Sequence, residues 1–215
     1  MKYYETKPDG YYNNPRKELL DFIVNEPKKV LDVGCGDGSF AVLVKQKYNA
    51  ETWGIEYVQK EAEKAGKILD KSLAGPCENH ISSLPDNYFD VIFFNDVLEH
   101  LVDPYTVLET IRTKLSPNGI IIASIPNIRY FKVLTALFLK KDWRYEAYGV
   151  MDKTHLRFFT KKSMVRMFDE AGYNCKTVKG LSATRSLRFI LFSIFTLLTQ
   201  WDARYGQYGI VATSK

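Results

Sequence analysis

The sequence predicts an α/β fold, in which a largely parallel sheet is wound with helices on both faces. Three observations predict it. From Lys29 onward, short apolar runs alternate with stretches of helical period, and apolar runs of this kind suit strands buried on both faces. A glycine-rich turn links the first apolar run to the first helical stretch. Finally, 215 residues with 46% hydrophobic and 26% charged side chains are enough for one sizeable globular core.

The elements follow in order. Asn14-Pro15 offers a cap and a first-turn proline for a helix over Arg16–Asn25. Lys29–Val33 reads as a buried strand, and Ser39–Tyr48 as a helix whose apolar face is Phe40, Ala41, Leu43 and Val44. Thr52–Glu56 is the second strand and Gln59–Leu69 the second helix. A short strand is expected near Cys77–Ile81, and Phe89–Asn95 is the strongest strand of the chain. Asp103-Pro104 opens a helix running to about Leu115, and Pro117-Asn118-Gly119 turns into the strand Ile120–Ile125, closed by Pro126.

The last third is less regular. Ile128–Leu139 is apolar and ends in Lys140-Lys141; Thr160–Ala171 has a threonine cap and stops before Gly172. Asn174–Val178 and Gly209–Thr213 read as final strands. Between them, residues 179–208 read as an inserted helix pair or one long helix, with an uncharged core of Phe189–Trp201. Those 13 residues fall short of the roughly 20 that span a bilayer. The whole of 1–215 thus reads as one domain, with 1–25 as an N-terminal helix or lid in which Tyr3, Tyr4, Tyr11 and Tyr12 supply aromatic rings.

Composition excludes several classes. The N-terminus lacks the apolar core of a secretory signal. Cys35, Cys77 and Cys175 have no CxxC spacing, so they read as reduced thiols in a cytoplasmic protein, and no metal site is expected. The net charge of +5 is too mild to imply a phosphate-tracking groove, so no nucleic-acid partner is expected.

The most informative stretch is Val30-Leu31-Asp32-Val33-Gly34-Cys35-Gly36-Asp37-Gly38. Glycines in a tight strand-to-helix turn permit positive φ and let a ligand lie against bare backbone. In an open parallel sheet this is where ligands bind, and helix-start amides there attract an anionic group. The spacing is GxGxG, with Ser39 where a dinucleotide fingerprint has its third glycine. Asp32 would repel a pyrophosphate but suits an ammonium group. A ligand with an amino-acid end meets both demands. Glu56, at the end of the second strand, can accept both hydroxyls of a ribose.

The motifs VLDVGCGDGSF, GIEYV, LPDNYFDVIFFNDVLEHLVDP and LSPNGIIIASIPN together resemble the successive motifs of the class I S-adenosylmethionine-dependent methyltransferases. The likeness is nearest to the branch acting on small molecules, quinones and cell-surface polysaccharides, and covers about Val30 to Tyr173. It implies a Rossmann-like seven-stranded sheet of order 3-2-1-4-5-7-6 with the last strand antiparallel, and S-adenosylmethionine as methyl donor. Carried over by position, Asp32, Gly34, Cys35, Gly36 and Gly38 would hold the methionine part. Glu56 would hold the ribose, with Tyr57 on the adenine, and Asn95 and Asp96 would floor the site near the sulfonium. In HISSLP the family often has an acidic residue where His80 stands, so the adenine contact passes to His80 or to the backbone of Ile81.

For the acceptor, two groups of residues stand out. His100, in LEHL, is either a general base or a packing residue beside the cofactor. Asp152, His155 and Arg157, in MDKTHLRFF, resemble a run beside the acceptor pocket in polysaccharide-linked and quinone-type relatives. His155 would then be the base and Arg157 an anchor for an anionic acceptor, or the three form a network fixing their loop. No D/N-P-P-Y/F tetrad follows the fourth strand, where Asn95-Asp96-Val97-Leu98 stands instead. This argues against an exocyclic base amine as the target, and the resemblance implies an O, N or C nucleophile of a small molecule, saccharide or lipid-linked intermediate; the alternatives are a non-catalytic module that binds S-adenosylmethionine or, more remotely, a nucleic-acid methyltransferase. Residues 130–139 and 187–198 are apolar with basic flanks at Lys140, Lys141, Arg185 and Arg188. That pattern suits peripheral membrane contact, mutual packing or a homodimer face.

Overall fold

The computed structural model describes residues 15–215. The tyrosines at 3, 4, 11 and 12 and the Asn14 cap lie outside the described residues. The chain re-enters at a short 3-10 helix, Lys17–Phe22, where the sequence predicts a helix over Arg16–Asn25.

The strands are β1 (Lys29–Val33), β2 (Glu51–Glu56), β3 (Lys71–Ala74), β4 (Phe89–Asn95), β5 (Leu115–Pro126), β6 (Tyr173–Ala183) and β7 (Tyr205–Ser214). The helices are α1 (Ser39–Tyr48), α2 (Gln59–Ala65), α3 (Pro104–Ile111), α4 (Phe131–Leu139), α5 (Lys161–Glu170) and α6 (Leu187–Phe195). The strands form one sheet of order β3-β2-β1-β4-β5-β7-β6. The pairs β1–β2, β2–β3, β1–β4 and β4–β5 are parallel, and β7 runs antiparallel to both β5 and β6. The implied topology is the observed one.

Period-two alternation along the central strands divides the core between the two faces. Leu31, Ile92, Phe94 and Ile121 point to the face covered by α3 and α5, which contribute Leu108, Ile111, Met164, Met167 and Phe168. Val30, Val91, Phe93 and Ile122 point to the opposite face, against Phe40 and Val44 of α1 and against Leu19 and Phe22. β4 is central and nearly all buried, which is why its sequence reads as a continuous apolar run.

Several boundaries differ from the sequence expectation. The third strand is Lys71–Ala74, not Cys77–Ile81, whose residues form two 3-10 turns, Cys77–Asn79 and Ile81–Ser83. β3 is an edge strand and its side chains are exposed or half-buried, so it lacks an apolar signature. The helix after Asp103 stops at Ile111 and tightens into a 3-10 turn, Arg112–Lys114. Pro117-Asn118-Gly119 lies within β5, where the register against β4 shifts. The final strands are longer than expected and take both ends of residues 179–208. What remains between them is one helix, α6, and a 3-10 turn, Trp201–Arg204. Among the described residues no helix is long and apolar enough to cross a membrane.

Candidate active site

The carboxyl ends of β1, β2 and β4 open onto a cleft of about 2230 Å³. Small-molecule pockets usually measure roughly 300–1,000 Å³, so this cleft has room for two reactants.

The glycine turn shapes one end. Gly34, Gly36 and Gly38 all adopt positive φ, +74°, +56° and +85°. A Cβ on Gly34 would stand 2.4 Å from a methyl of Val97, so the turn can hug the end of β4 only without side chains. The amides of Gly34 and Cys35 donate to the Ile55 carbonyl at 2.7 and 3.2 Å, and that of Gly38 to the Cys35 carbonyl at 2.9 Å. Gly36 N–H donates to Glu56 Oε2 at 2.9 Å and Val58 N–H to Glu56 Oε1 at 2.8 Å. These four turn amides are therefore spent within the protein. The turn supplies space against the backbone, and Glu56 locks it to the end of β2.

Asp32 is 1% exposed. Among the described residues its carboxylate receives one long hydrogen bond, 3.4 Å from Asn95 Nδ2, while Asn95 Oδ1 is buried with no partner. Burial, and then the neighbouring Glu56, push Asp32 up to about 8. Glu56 is also raised, chiefly by burial, against the pull of the Val58 and Gly36 amides. Two buried acids and an orphaned carbonyl oxygen leave this end short of positive charge. A ligand bearing an ammonium group fits that deficit.

Other cofactor-side residues divide. Tyr57 lines the cleft and is 39% exposed. Cys35 lines it too, although its sulfur packs beneath Gly54, where a Cβ would meet it at 2.5 Å. Gly38 is not in the lining; it caps α1. His80 and Ile81 are also outside the lining: His80 Nε2 is bonded to the Ala74 carbonyl at 2.9 Å, and Ile81 is in the core. Gly75, Pro76, Cys77 and Glu78 hold that wall instead. The displacement follows from β3 ending before Gly75, so the wall comes from the turn after the strand rather than the segment after that. Asp96 has φ +56° and is held by an ion pair with Arg16 and by hydrogen bonds from Ser124 Oγ at 3.0 Å and Gln207 Nε2 at 2.9 Å.

At the other end, His100 and His155 meet edge to face with ring centroids 4.7 Å apart. His100 Nδ1 is 3.0 Å from the Thr154 carbonyl and His155 Nδ1 is 3.0 Å from the Val150 carbonyl. A carbonyl only accepts, so Nδ1 carries the proton and Nε2 is the basic nitrogen of each neutral ring. Beside them lies Glu99, 1% exposed, and among the described residues neither of its oxygens accepts a hydrogen bond; His155 Nε2 is 3.8 Å from its Oε1. Burial, and next Asp96, hold Glu99 well above the usual carboxylate range. One donor atom from each of Glu99, His100 and His155 lies within 4.8 Å of the others, a spacing that could hold a cation.

Glu99 is the residue sequence reading missed. It stands beside His100 in LEHL, but only the 3-10 turn Leu98–His100 and the packing of 150–157 over it make it buried. Of the second predicted group, Asp152 and His155 line the cleft and Arg157 does not. Asp152 accepts from Thr154 N–H at 2.9 Å and Thr154 Oγ1 at 2.7 Å, which shapes the loop. The Arg157 guanidinium donates to the carbonyl of Val102, itself a residue of the cleft wall, while the Leu156 and Arg157 amides dock on the Glu99 carbonyl.

Comparison with known proteins agrees with this geometry. A family model described as "Methyltransferase domain" matches residues 9–178. The ubiquinone biosynthesis O-methyltransferase of Histophilus somni (strain 2336) is 28% identical over 185 residues, 81% of this chain and 77% of that protein. Its counterpart in Aeromonas salmonicida (strain A449) is 28% identical over 189 residues, covering 82% and 76%. A SAM-dependent methyltransferase structure from Archaeoglobus fulgidus has a TM-score of 0.67 at 19% identity, covering 96% of this chain and 97% of that one. One from Thermotoga maritima, a possible histamine N-methyltransferase, has a TM-score of 0.66 at 21% identity, covering 95% and 89%. The side-chain-free turn, the acids at 32 and 56 and the family match over most of the chain lead to one conclusion: this protein belongs to the methyltransferase-domain family and is a class I S-adenosylmethionine-dependent methyltransferase.

Proposed function

We propose that the protein methylates a hydroxyl of a lipid-linked acceptor presented at a membrane surface. The observation that carries this reading is the continuity of the cleft. It runs from Asp32 and Glu56, past His100 and His155, to α4 and the start of α6. Beyond it, both helices turn large apolar side chains outward: Phe138 is 71% exposed and Phe195 87%. The helices also pack on each other, with Phe131 against Phe189 and Phe192 at ring distances of 5.5 and 5.3 Å. Mutual packing therefore accounts for their inner faces alone. Apolar outer faces beside Lys140, Lys141, Arg185 and Arg188 suit an interface helix. That the two relatives from Histophilus somni and Aeromonas salmonicida are named O-methyltransferases supports oxygen as the accepting atom.

In this reading Asp32 and Asn95 Oδ1 receive the cofactor's ammonium group. Glu56 takes the ribose hydroxyls with lone pairs not used by Gly36 and Val58, and Tyr57 lies on the adenine. Gly34, Cys35 and Gly36 form the floor beneath the methionine part, with Gly38 setting the turn. Asn95 and the Arg16-held Asp96 shape the floor near the sulfonium. The bound cofactor supplies an already activated methyl group. The protein aligns the acceptor oxygen in line with the methyl–sulfur bond, an effect of about 7–11 kcal/mol at best. As the oxygen–carbon bond forms and the carbon–sulfur bond breaks onto sulfur, the hydroxyl proton passes to Nε2 of His155 or His100.

The test is to incubate the protein with radiolabelled S-adenosylmethionine and a total lipid extract, then partition the products. Label should enter the organic phase and survive as an ether. Label confined to water-soluble products would reject a lipid-linked acceptor.

A further inference from the structure

The same cleft carries a distribution of charge that bears on what the acceptor is. Where it opens toward α4 and α6, its wall includes Lys140, Arg144 and Arg188. Among the described residues none of the three has an ion-pair or hydrogen-bond partner for its side chain. The acids on the same rim do little to offset the three. Glu146 faces Lys132 at 3.4 Å, and Asp152 is bound into its own turn by Thr154. Asp142 is the remaining one.

The cleft wall thus combines three kinds of group: buried acids at the ends of β1 and β2, two imidazoles with basic Nε2 atoms, and three cations without ion-pair partners beside bare apolar helix faces. A neutral amphiphile would use the imidazoles and the apolar faces and leave the cations idle. We propose that the acceptor is an anionic amphiphile, a hydroxylated head joined through phosphate to a long aliphatic chain. The phosphate would sit among Lys140, Arg144 and Arg188, where guanidinium groups can grip it with paired donors. The chain would lie on the outer faces of α4 and α6, and the head hydroxyl would reach His100 and His155. The proposal rests on the lipid-linked reading above and specifies its linkage chemistry.

The experiment uses the full chain saturated with S-adenosylhomocysteine and three phosphatidylcholine vesicle preparations. One contains undecaprenyl phosphate, one an equal fraction of undecaprenol, and one an equal fraction of phosphatidylglycerol. Sedimentation should show at least about tenfold tighter binding to the first than to either of the others, a difference near 1.4 kcal/mol. The Arg144→Glu/Arg188→Glu variant should lose that preference, and the milder Arg144→Gln/Arg188→Gln variant should weaken it. Both should keep the rise in melting temperature that S-adenosylhomocysteine produces, which shows an intact fold and cofactor site. Equal binding to undecaprenol would overturn the role of the cations. Equal binding to phosphatidylglycerol vesicles would reduce the mouth to a general anionic-surface contact and also overturn it. No binding to any vesicle would remove the proposal together with the lipid-linked reading. A wild-type melting temperature unmoved by S-adenosylhomocysteine would instead undermine the cofactor assignments alone.

Discussion

The two ends of the cleft are made from different kinds of chain. The cofactor end comes chiefly from β1, β2 and the turns that follow them, residues 32 to 58, joined by Gly75–Glu78 and by Asn95 and Asp96 after β4, and its two acids are buried: Asp32 and Glu56 are 1% and 5% exposed. The acceptor end is gathered from Glu99 and His100, from α4 and the loop over 140–157, and from the start of α6. Its helices leave much of their apolar surface bare. A buried, short-range site can be specified by a compact motif, because backbone path and side chains vary together. A site assembled from distant loops depends on packing that no local motif encodes. The first end is built for one ligand common to the family, and the second can change its acceptor by changing loops.

Four substitutions test this contrast, the largest effect first. His155→Ala should lower methyl transfer to the lipid extract by about 10²–10⁴-fold, the usual contribution of a positioned base. The melting-temperature rise with S-adenosylhomocysteine should persist. Full activity would leave His100 as the base and tie His155 to the loop alone.

Charge reversal of Lys140, Lys141, Arg185 and Arg188 together comes next. Each basic residue near an anionic surface is worth about 1 kcal/mol, so partitioning onto anionic liposomes at low salt should fall by roughly two to three orders of magnitude. Equal sedimentation of both forms would reject surface attachment through this region and favour a dimer face, which sedimentation equilibrium would detect.

Asp32→Asn should weaken S-adenosylhomocysteine by about 10- to 150-fold, the worth of one hydrogen bond to a charged group. It should also remove a pH dependence. With its folded-state value raised from 3.8 to about 8, Asp32 holds its proton in the free protein across that range, whereas the unfolded chain has lost it. Its contribution to the stability of the free protein is therefore present below about pH 4 and lost as pH rises toward 8. An ammonium ligand needs the carboxylate, so binding expels that proton below pH 8. Affinity should climb with pH up to about 8, by at most about tenfold per unit, and should be flat in the variant. A flat wild-type titration would contradict the ammonium pairing.

Arg157→Ala should matter least. Its guanidinium is already spent on an exposed backbone carbonyl, that of Val102, so stability should change by no more than about 1 kcal/mol and transfer to the acceptor by less than about twofold. A large loss of activity would return it to the acceptor site.

Much of the fold was legible. Phe89–Asn95 reads as a central strand because burial on both faces demands unbroken apolar residues, and Thr160 caps its helix through a reciprocal box with Ser163. The Lys71–Ala74 edge strand was not legible, because half-exposed positions carry no pattern to read. Along that side the cleft is lined by Gly75–Glu78, just after this strand, rather than by His80 and Ile81, which the family resemblance suggests. Glu99 went unread for a related reason. A glutamate in a polar-looking LEHL turn is ordinary, and only the docking of Leu156 and Arg157 onto its backbone carbonyl makes it a buried acid beside two imidazoles.

By itself, then, the sequence determined the sheet, the glycine turn, the two carboxylates that frame it and the apolar, basic-flanked character of α4 and α6. Those properties reside in local spacing, and local spacing survives folding unchanged. Tertiary structure alone decided that His100 and His155 meet beside the buried Glu99, that Arg157 is spent on the Val102 carbonyl while Asp152 and His155 line the cleft, and that Arg16 holds Asp96. Each of these joins residues far apart along the chain, and the packing that brings them together belongs to no single segment.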